Sequence, residues 1–405
     1  VPVLLPSDIP DIKRVVVILI TPSSYRDDDF PHRFLFGVLP SNTLAALNSL
    51  TLQALQSILP RPDFPFEIYM LADGIKQQAD QLERLRQRFP EAGTKLIVGF
   101  VGVQTAQFPR ACDLIKRWQK VGAVCVIGGF HVSGSISTML DGIKDSRRPD
   151  IPCPKIMPPE IQMLMDLGVI VFHGEAEEVW CETLRDILLG QAKPLNRGGQ
   201  PDLSHVPLPL HNRSYFKRFF PMGTVDTGRG CPFICTFCTI INVQGTKVRY
   251  RNPAEIVERV RETCIHYGKA SFFFTDDNFA RNSHWSELLD GLIVLRQQGY
   301  KIQIMIEADL ACSKIPGFFE KLAAAGCTQI FMGVESMNPL NLVEAHKKQN
   351  RVSEYKALWD RCHELELLVH VGYIIGFPHD TPASVARDIE ELRRMGADHA
   401  SVFML

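Results

Sequence analysis

Arg14–Thr21 reads Arg-Val-Val-Val-Ile-Leu-Ile-Thr, six aliphatic residues in a row with no polar break. A half-buried strand alternates, so an unbroken run of this length needs apolar cover on both faces, which a parallel sheet between two helix layers provides. The rest of the first half follows the same grammar. Strand-length apolar segments at 67–72, 95–103, 124–127 and 169–172 alternate with helical patterns at 41–59, 77–89 and 111–121, and a last helix runs to about Leu189. That alternation predicts an α/β domain with a Rossmann-like parallel sheet over residues 1–190. Residues 191–222 lose the periodicity, carry Pro194, Pro201, Pro207 and Pro209, and read as a linker.

A second alternation starts at residue 223. Its strands fall at 223–227, 270–275, 301–306, 328–332, 368–375 and 400–405, with amphipathic helices between them such as 253–267 and 283–298. Six strands with five helices predict a partial (β/α)6, TIM-like barrel over 223–405. The sequence stops on the apolar run Ala400-Ser-Val-Phe-Met-Leu405 without a covering helix. It is therefore expected to be C-terminally truncated, with on the order of 100 further residues.

Composition narrows the function classes. The 405 residues carry 44 basic and 45 acidic side chains, a net charge of −1, which excludes a nucleic-acid binder working by bulk basicity. No apolar run approaches the roughly 20 residues of a membrane span. Residues 1–20 lack the basic, apolar and small-residue order of a secretory signal. Eleven cysteines, an odd number, argue for a reducing compartment in which thiols serve metal or packing, so a cytoplasmic location is expected.

The strongest chemical signal is Gly228-Arg-Gly-Cys231-Pro-Phe-Ile-Cys235-Thr-Phe-Cys238. Three thiolates spaced CxxxCxxC just after a strand can curl around one cluster. On a four-iron cluster, three cysteine ligands leave one iron open for a substrate or cofactor. The glycines allow a tight turn, and Phe237 can shield one face. Zinc would require a fourth Cys or His and usually paired CxxC spacing, of which no partner pair is visible. Cys112, Cys125, Cys181, Cys264, Cys312, Cys327 and Cys362 lie in helical or strand patterns and read as small core residues.

CxxxCxxC after a barrel strand, with an aromatic residue before the last cysteine, resembles the radical S-adenosylmethionine superfamily. The resemblance implies a [4Fe-4S] cluster on Cys231, Cys235 and Cys238 whose open iron takes the amino and carboxylate groups of S-adenosyl-L-methionine. It further implies that Asp276-Asp277-Asn278, ending the second barrel strand, contacts the methionine amino group. Gly333-Val-Glu335-Ser336, ending the fourth, resembles the ribose or carboxylate contact. Gly372-Tyr-Ile374-Ile-Gly376 on the fifth resembles the segment beside the adenine. Where the family commonly has an acid three positions after that second glycine, this sequence has His379. Glu307 and Asp309 end the third strand and face the same rim. For all these acids, solvated loop residues are the plain alternative.

In the first half, three glycine-bearing segments each follow a predicted strand: 99–105 with Gly102 and Thr105, 127–133 with Gly128, Gly129 and His131, and 173–177 with Gly174 and Glu175. Ligands of open α/β sheets bind outside the strand C-termini. In this order the segments resemble the cobalamin-binding domain that precedes the barrel in one radical S-adenosylmethionine subfamily. His131 is either a cobalamin contact or a loop histidine, and Glu175 and Glu177 are equally explained as acids at a helix N-terminus. The DxHxxG segment that supplies an axial histidine is absent, and Asp29-Phe-Pro-His32 has the wrong spacing. Bound cobalamin is therefore expected with its lower face free of histidine. A domain that has lost its ligand and only supports the barrel is the alternative.

The resemblance implies a radical enzyme that generates a 5′-deoxyadenosyl radical and, with cobalamin as methyl carrier, methylates an unactivated carbon. Radical rearrangement, cyclisation or oxidation without methyl transfer is the second reading, and a non-catalytic iron–sulfur redox sensor the third. An external electron donor such as flavodoxin or ferredoxin is implied. A small-molecule, lipid or peptide substrate remains open, and no catalytic acid or base is assigned. Replacing Cys231, Cys235 and Cys238 together by alanine is expected to abolish the broad visible absorbance of the iron- and sulfide-reconstituted protein. Iron and sulfide retained in the triple variant would place the cluster elsewhere.

Overall fold

The computed structural model describes residues 1–89, 91–142, 147, 152–220 and 222–405. The chain divides into two compact units, Val1–Phe220 and Pro221–Leu405. In the first, strands β1 (Arg14–Thr21), β2 (Phe66–Ala72), β3 (Thr94–Phe100), β4 (Val124–Gly128), β5 (Ile170–His173) and β6 (Leu195–Arg197) form one parallel sheet. Its order is β2-β1-β3-β4-β5-β6. The unbroken apolar run of β1 has the two-sided burial its composition demands. Val15, Val17 and Leu19 enter one core cluster, while Val16, Ile18 and Ile20 enter the other.

Helices α1 (Asn42–Ile58) and α6 (Trp180–Leu189) pack on the first of these faces. Helices α2 (Lys76–Arg88), α3 (Phe108–Gln119), α4 (Phe130–Ile136) and α5 (Pro159–Asp166) pack on the second. This is a doubly wound, Rossmann-like sheet whose strand order reverses between β1 and β3. Neither α4 nor α5 is legible as a helix in the sequence. The first carries Ser133, Gly134 and Ser135, poor helix formers, and is held by burial of Val132 and Ile136.

The proline-bearing stretch 191–220 belongs to the first unit. Its three-residue strand β6 pairs with β5, and the short helix α7 (Arg213–Phe216) buries Tyr215 and Phe216. Side chains of α1 strap the irregular backbone down: Asn48 Nδ2 donates to Leu210 O at 2.8 Å and Ser49 Oγ to Leu208 O at 2.6 Å. A low-periodicity stretch is thus ordered by tertiary hydrogen bonds that a periodicity reading does not register.

In the second unit, β7 (Met222–Val225) leads into a two-stranded antiparallel ribbon, β8 (Gly228–Arg229) with β9 (Arg249–Tyr250), which brackets the cysteine loop and the short helix α8 (Ile240–Val243). Strands β10 (Ser271–Phe274), β11 (Gln303–Ala308), β12 (Cys327–Glu335), β13 (Leu368–Ile375) and β14 (His399–Met404) then add one after another. The sheet order, β14-β13-β12-β11-β10-β7, follows the chain without reversal, and every pairing is parallel. Between them run α9 (Pro253–Tyr267), α10 (Trp285–Gln297), α11 (Phe318–Ala325), α12 (Pro339–Glu344), α13 (Tyr355–Glu364) and α14 (Pro382–Met395). Parallel strands added in unreversed order, each joined by a helical crossover, give a partial (β/α)6 barrel. No helix among the described residues is long and apolar enough to cross a membrane.

Gly129 closes β4 with φ 142° and ψ −174°, a region open essentially to glycine alone. A Cβ there would overlap the backbone of Gly102 and Val103. Gly129→Ala is expected to lower the stability of the first unit by about 3 kcal/mol, from backbone strain alone. Urea denaturation followed by circular dichroism checks this, and an unchanged midpoint would remove the argument.

Candidate functional site

The cysteine loop begins where β7 ends. Gly228 and Gly230 flank Arg229 in the ribbon, and Gly230 has φ 93° with the carbonyl of Lys247 packed against the place a Cβ would occupy. Glycine is required for the chain to double back here. Cys231 N donates to Gly245 O at 3.3 Å, Cys238 N to Cys235 O at 3.2 Å and Thr236 N to Ala345 O at 3.1 Å, so the loop is pinned from within and by the end of α12. Cys235 is buried, and Cys231 and Cys238 are partly so. Burial raises all three thiols, Cys238 to about 11, and the thiols of Cys231 and Cys235 add to that rise. Free of metal the three are therefore protonated at neutral pH, and ligation would release protons.

Polar side chains ring the sulfurs. Asn278 Nδ2 lies 3.7 Å from Cys231 Sγ and Gln349 Nε2 3.9 Å from Cys235 Sγ. The Lys347 ammonium stands 5.8 Å from the Phe237 ring centre and is paired with Glu335 Oε1 at 2.7 Å. Burial works against that ammonium, but Glu335 and Cys235 outweigh it and the net shift is upward. Phe237 meets Phe377 edge-on at 5.9 Å and packs beside Ile374 and Ala345. Three thiols on one short loop, with N–H donors near two of the sulfurs and a cation beside the loop, have the chemistry that thiolate ligation of an iron–sulfur cluster requires. Lys347 and Gln349 carry no sequence signal of their own, because the loop after α12 brings them to the cysteines from more than a hundred residues away.

The sequence-selected acids divide. Asp276, 3% exposed, accepts from the backbone N–H of Thr227 at 3.0 Å and from its hydroxyl at 2.6 Å. Burial pushes it up to about 7 against those hydrogen bonds, and Asp226 adds to the rise. Asp277 accepts from Gly230 N at 2.8 Å, tying the second strand end to the cysteine loop. Asp309 caps a helical turn through Ala311 N and forms a two-pronged pair with Arg281 at 2.7 Å on each oxygen. Glu307, by contrast, has no hydrogen-bond partner among the described residues. Burial, then Asp277, Asp276 and Glu335, push its carboxyl up to about 7.

Glu335 sits at φ 67° on a register shift of the β12–β13 ladder. Ser336 is fully buried and accepts from Asn338 N and Asn341 Nδ2, both at 3.1 Å. On β13, Gly372 leaves room for Phe331, whose ring tip would lie 2.7 Å from a Cβ. Gly376 (φ 115°) ends the strand, and its N–H and that of Phe377 both donate to Asp380, at 2.9 and 3.0 Å. The acid that fastens this turn is therefore Asp380, one residue beyond His379, which instead pairs with Glu344 at 2.9 Å.

In the first unit the three glycine-bearing loops are laced together. Val103 N donates to Gly128 O at 3.1 Å, His131 N to Val103 O at 3.0 Å and Gly174 N to Ser133 Oγ at 3.0 Å. Gly102 (φ 65°) lies over Thr43, and Glu175 is 8% exposed. His131 is flanked by Phe108 at 4.3 Å between ring centres, with Nδ1 3.3 Å from Thr105 Oγ1. Its Nε2 is buried without a hydrogen-bond partner, Glu160 lying 4.0 Å away, and burial lowers its pKa. A buried ring nitrogen without a hydrogen-bond partner, beside glycines at positive φ, is a polar group that the protein itself leaves unsatisfied.

Comparison with known proteins follows these features. Residues 225–392 match the radical SAM superfamily model. The chain is 29% identical over 228 residues to the bacteriochlorophyllide d C-12(1)-methyltransferase of Chlorobaculum tepidum, covering 53% of this chain and 48% of that protein. It is 28% identical over 184 residues to the hopanoid C-2 methylase of Rhodopseudomonas palustris, covering 45% of this chain and 34% of that one. The chain thus spans half or less of the length of these two relatives. The radical S-adenosylmethionine methyltransferase TsrM from Kitasatospora setae, solved with cobalamin and a [4Fe-4S] cluster, superposes with a TM-score of 0.67 at 17% identity, over 96% of this chain and 74% of that one. That likeness extends the shared fold across both units.

Glu307 gives a pH test. Its folded pKa lies above the ordinary 4.5, near 7, so between those values the folded chain holds a proton that the unfolded chain has released. Stability from this group is therefore lost as pH rises through that window. Glu307→Gln is expected to flatten the decline and to gain on the order of 1–3 kcal/mol at pH 8. Denaturant midpoints measured from pH 4.5 to 8 decide it; parallel curves for the two proteins would sink the assignment.

Proposed function

Residues 225–392 are a radical S-adenosylmethionine superfamily domain, and on that premise we propose that the whole protein is a cobalamin-dependent enzyme that methylates an unactivated carbon. The observation that carries the reading is the mouth formed by Cys231, Cys235 and Cys238, with Asn278, Gln349 and Lys347 directed at it. The bound groups would supply the chemistry: one-electron cleavage of the sulfonium to a 5′-deoxyadenosyl radical, hydrogen abstraction from the substrate, and a methyl group for the resulting carbon radical.

The chain's own residues bind, orient and exclude water. The three cysteines hold the [4Fe-4S] cluster. Asp276 and Asp277 would hold the amino side of S-adenosyl-L-methionine, Asp276 while also fixing Thr227, and Glu307 would border the same rim. Glu335 and Ser336 border the carboxylate side, where Lys347 offers a buried positive charge. Gly372, Ile374 and Gly376 form the wall beside the adenine, fastened by Asp380. Phe237 and Phe377 seal the mouth. In the first unit, Gly102, Thr105, Gly128, Gly129, Gly174 and Glu175 would line the cobalamin rim, and His131 would offer it the unpartnered Nε2. We place no histidine under the cobalt. The substrate is a small molecule, lipid or peptide, the electron donor a flavodoxin or ferredoxin type of protein, and the location cytoplasmic.

Anaerobic reconstitution of the full-length protein with iron, sulfide and cobalamin, then reaction with S-adenosyl-L-methionine and dithionite, tests the reading. 5′-Deoxyadenosine together with S-adenosylhomocysteine is expected. 5′-Deoxyadenosine alone would favour rearrangement, cyclisation or oxidation, and neither product would favour a redox sensor. Bound Co(II)-cobalamin is expected to show no nitrogen superhyperfine splitting from histidine. A nitrogen triplet that disappears in His131→Ala would overturn the histidine-free lower face.

A further inference from the structure

We infer that Asn278 is a positioning residue that raises the reduction potential of the cluster by donating a fixed N–H to Cys231 Sγ. The inference rests on the cluster reading above. Three observations make this hydrogen bond a built feature. First, the amide cannot turn over, because the backbone N–H of Asp309 donates to Asn278 Oδ1 at 3.3 Å, which commits the oxygen to that side. Second, Nδ2 is held between Asp309 Oδ2 at 3.1 Å and Cys231 Sγ at 3.7 Å, so orienting the amide on the carboxylate aims it at the sulfur. Third, Asp309 is itself immobilised by the two-pronged pair with Arg281, whose guanidinium lies 5.4 Å from the Phe233 ring centre, inside the cysteine loop. Asn278 and Asp309 are both 5% exposed, so water does not compete.

The consequence follows from charge. Taking up one electron makes the cluster and its sulfurs more negative, and a donor aimed at a ligand sulfur stabilises that state more than the oxidised one. The chain Arg281–Asp309–Asn278–Cys231 therefore favours the reduced form. Gln349 also reaches a cysteine sulfur, but no second bond among the described residues fixes its amide. Asn278 is the donor whose geometry is set at both ends.

The test is potentiometry of the full-length, anaerobically reconstituted protein without S-adenosyl-L-methionine, the reduced cluster being followed by electron paramagnetic resonance. Asn278→Leu removes the donor at similar size. Asn278→Asp keeps the shape and puts an acceptor in its place. With iron and sulfide content equal to the wild type, the midpoint is expected to fall in the order Asn, Leu, Asp. For Leu the reduced-to-oxidised ratio at a fixed potential should drop about tenfold, which is about 59 mV for one electron. Unmoved midpoints at full iron content would overturn the inference and leave the cluster reading standing. Where the Leu variant fails to fold, the isosteric Asp variant decides alone, by the same shift or its absence. A wild-type protein that assembles no four-iron cluster would overturn both.

Discussion

The candidate site of the second unit hangs on buried carboxylates that fasten one strand end to the next. Asp276, at the end of β10, takes both the backbone N–H and the hydroxyl of Thr227, just past β7. Asp277 takes Gly230 N, and Asp309, past β11, grips Asn278 and Arg281. Parallel strands leave their C-terminal backbone groups without ladder partners, and these side chains supply the missing acceptors. The cysteine loop inherits its position from them. Without such ties a glycine-flanked loop would sample many conformations, and three sulfurs would rarely face one point.

The same acids illustrate how surroundings set charge. Asp226 and Asp276 are both almost fully buried, yet they shift in opposite directions. Burial pushes Asp226 up, but Arg251 at 2.8 Å and Arg229 at 3.0 Å overcome it and hold the carboxyl at about 2. Asp276 has only neutral donors, and two acids as neighbours, so burial prevails and it reaches about 7. A paired carboxylate is a permanent strut, whereas one satisfied by neutral donors can change its proton count near neutral pH. Asp276 is of the second kind, and Glu307, buried beside three other acids without a basic partner, behaves alike.

How much of this was legible in the sequence depends on the range of the interactions. The run of β1 announced itself, since burial on both faces leaves an unbroken apolar string. The cysteine spacing was legible because its ligands are local. Strand β6 was not, since three residues inside a proline-bearing stretch have no period to detect, and their order comes from parallel pairing with β5. Lys347 was invisible for the same reason: its meaning comes from Glu335 across a register shift and from Cys235 across the barrel mouth. Asp276 stood out because its motif sits at a strand end, but its bond to Thr227 exists only in three dimensions.

Glu335 shows why local rules give way at such a site. Of the non-glycine residues at positive φ, it is the only one within a strand among the described residues. Glycine would adopt that backbone at less cost, but it would remove the carboxylate that holds Lys347. The strain of a side chain in the left-handed region, on the order of 1 kcal/mol or more, is accepted because a buried ammonium left unpaired would cost more. The arrangement has a further requirement. Glu335 folds back over Gly333, and any Cβ at 333 would collide with its carboxylate. Gly333 and Glu335 are therefore a matched pair, one supplying room and the other charge. The register shift of the β12–β13 ladder falls between them, so the irregularity that departs most from an ideal strand is also the place that carries the carboxylate holding Lys347.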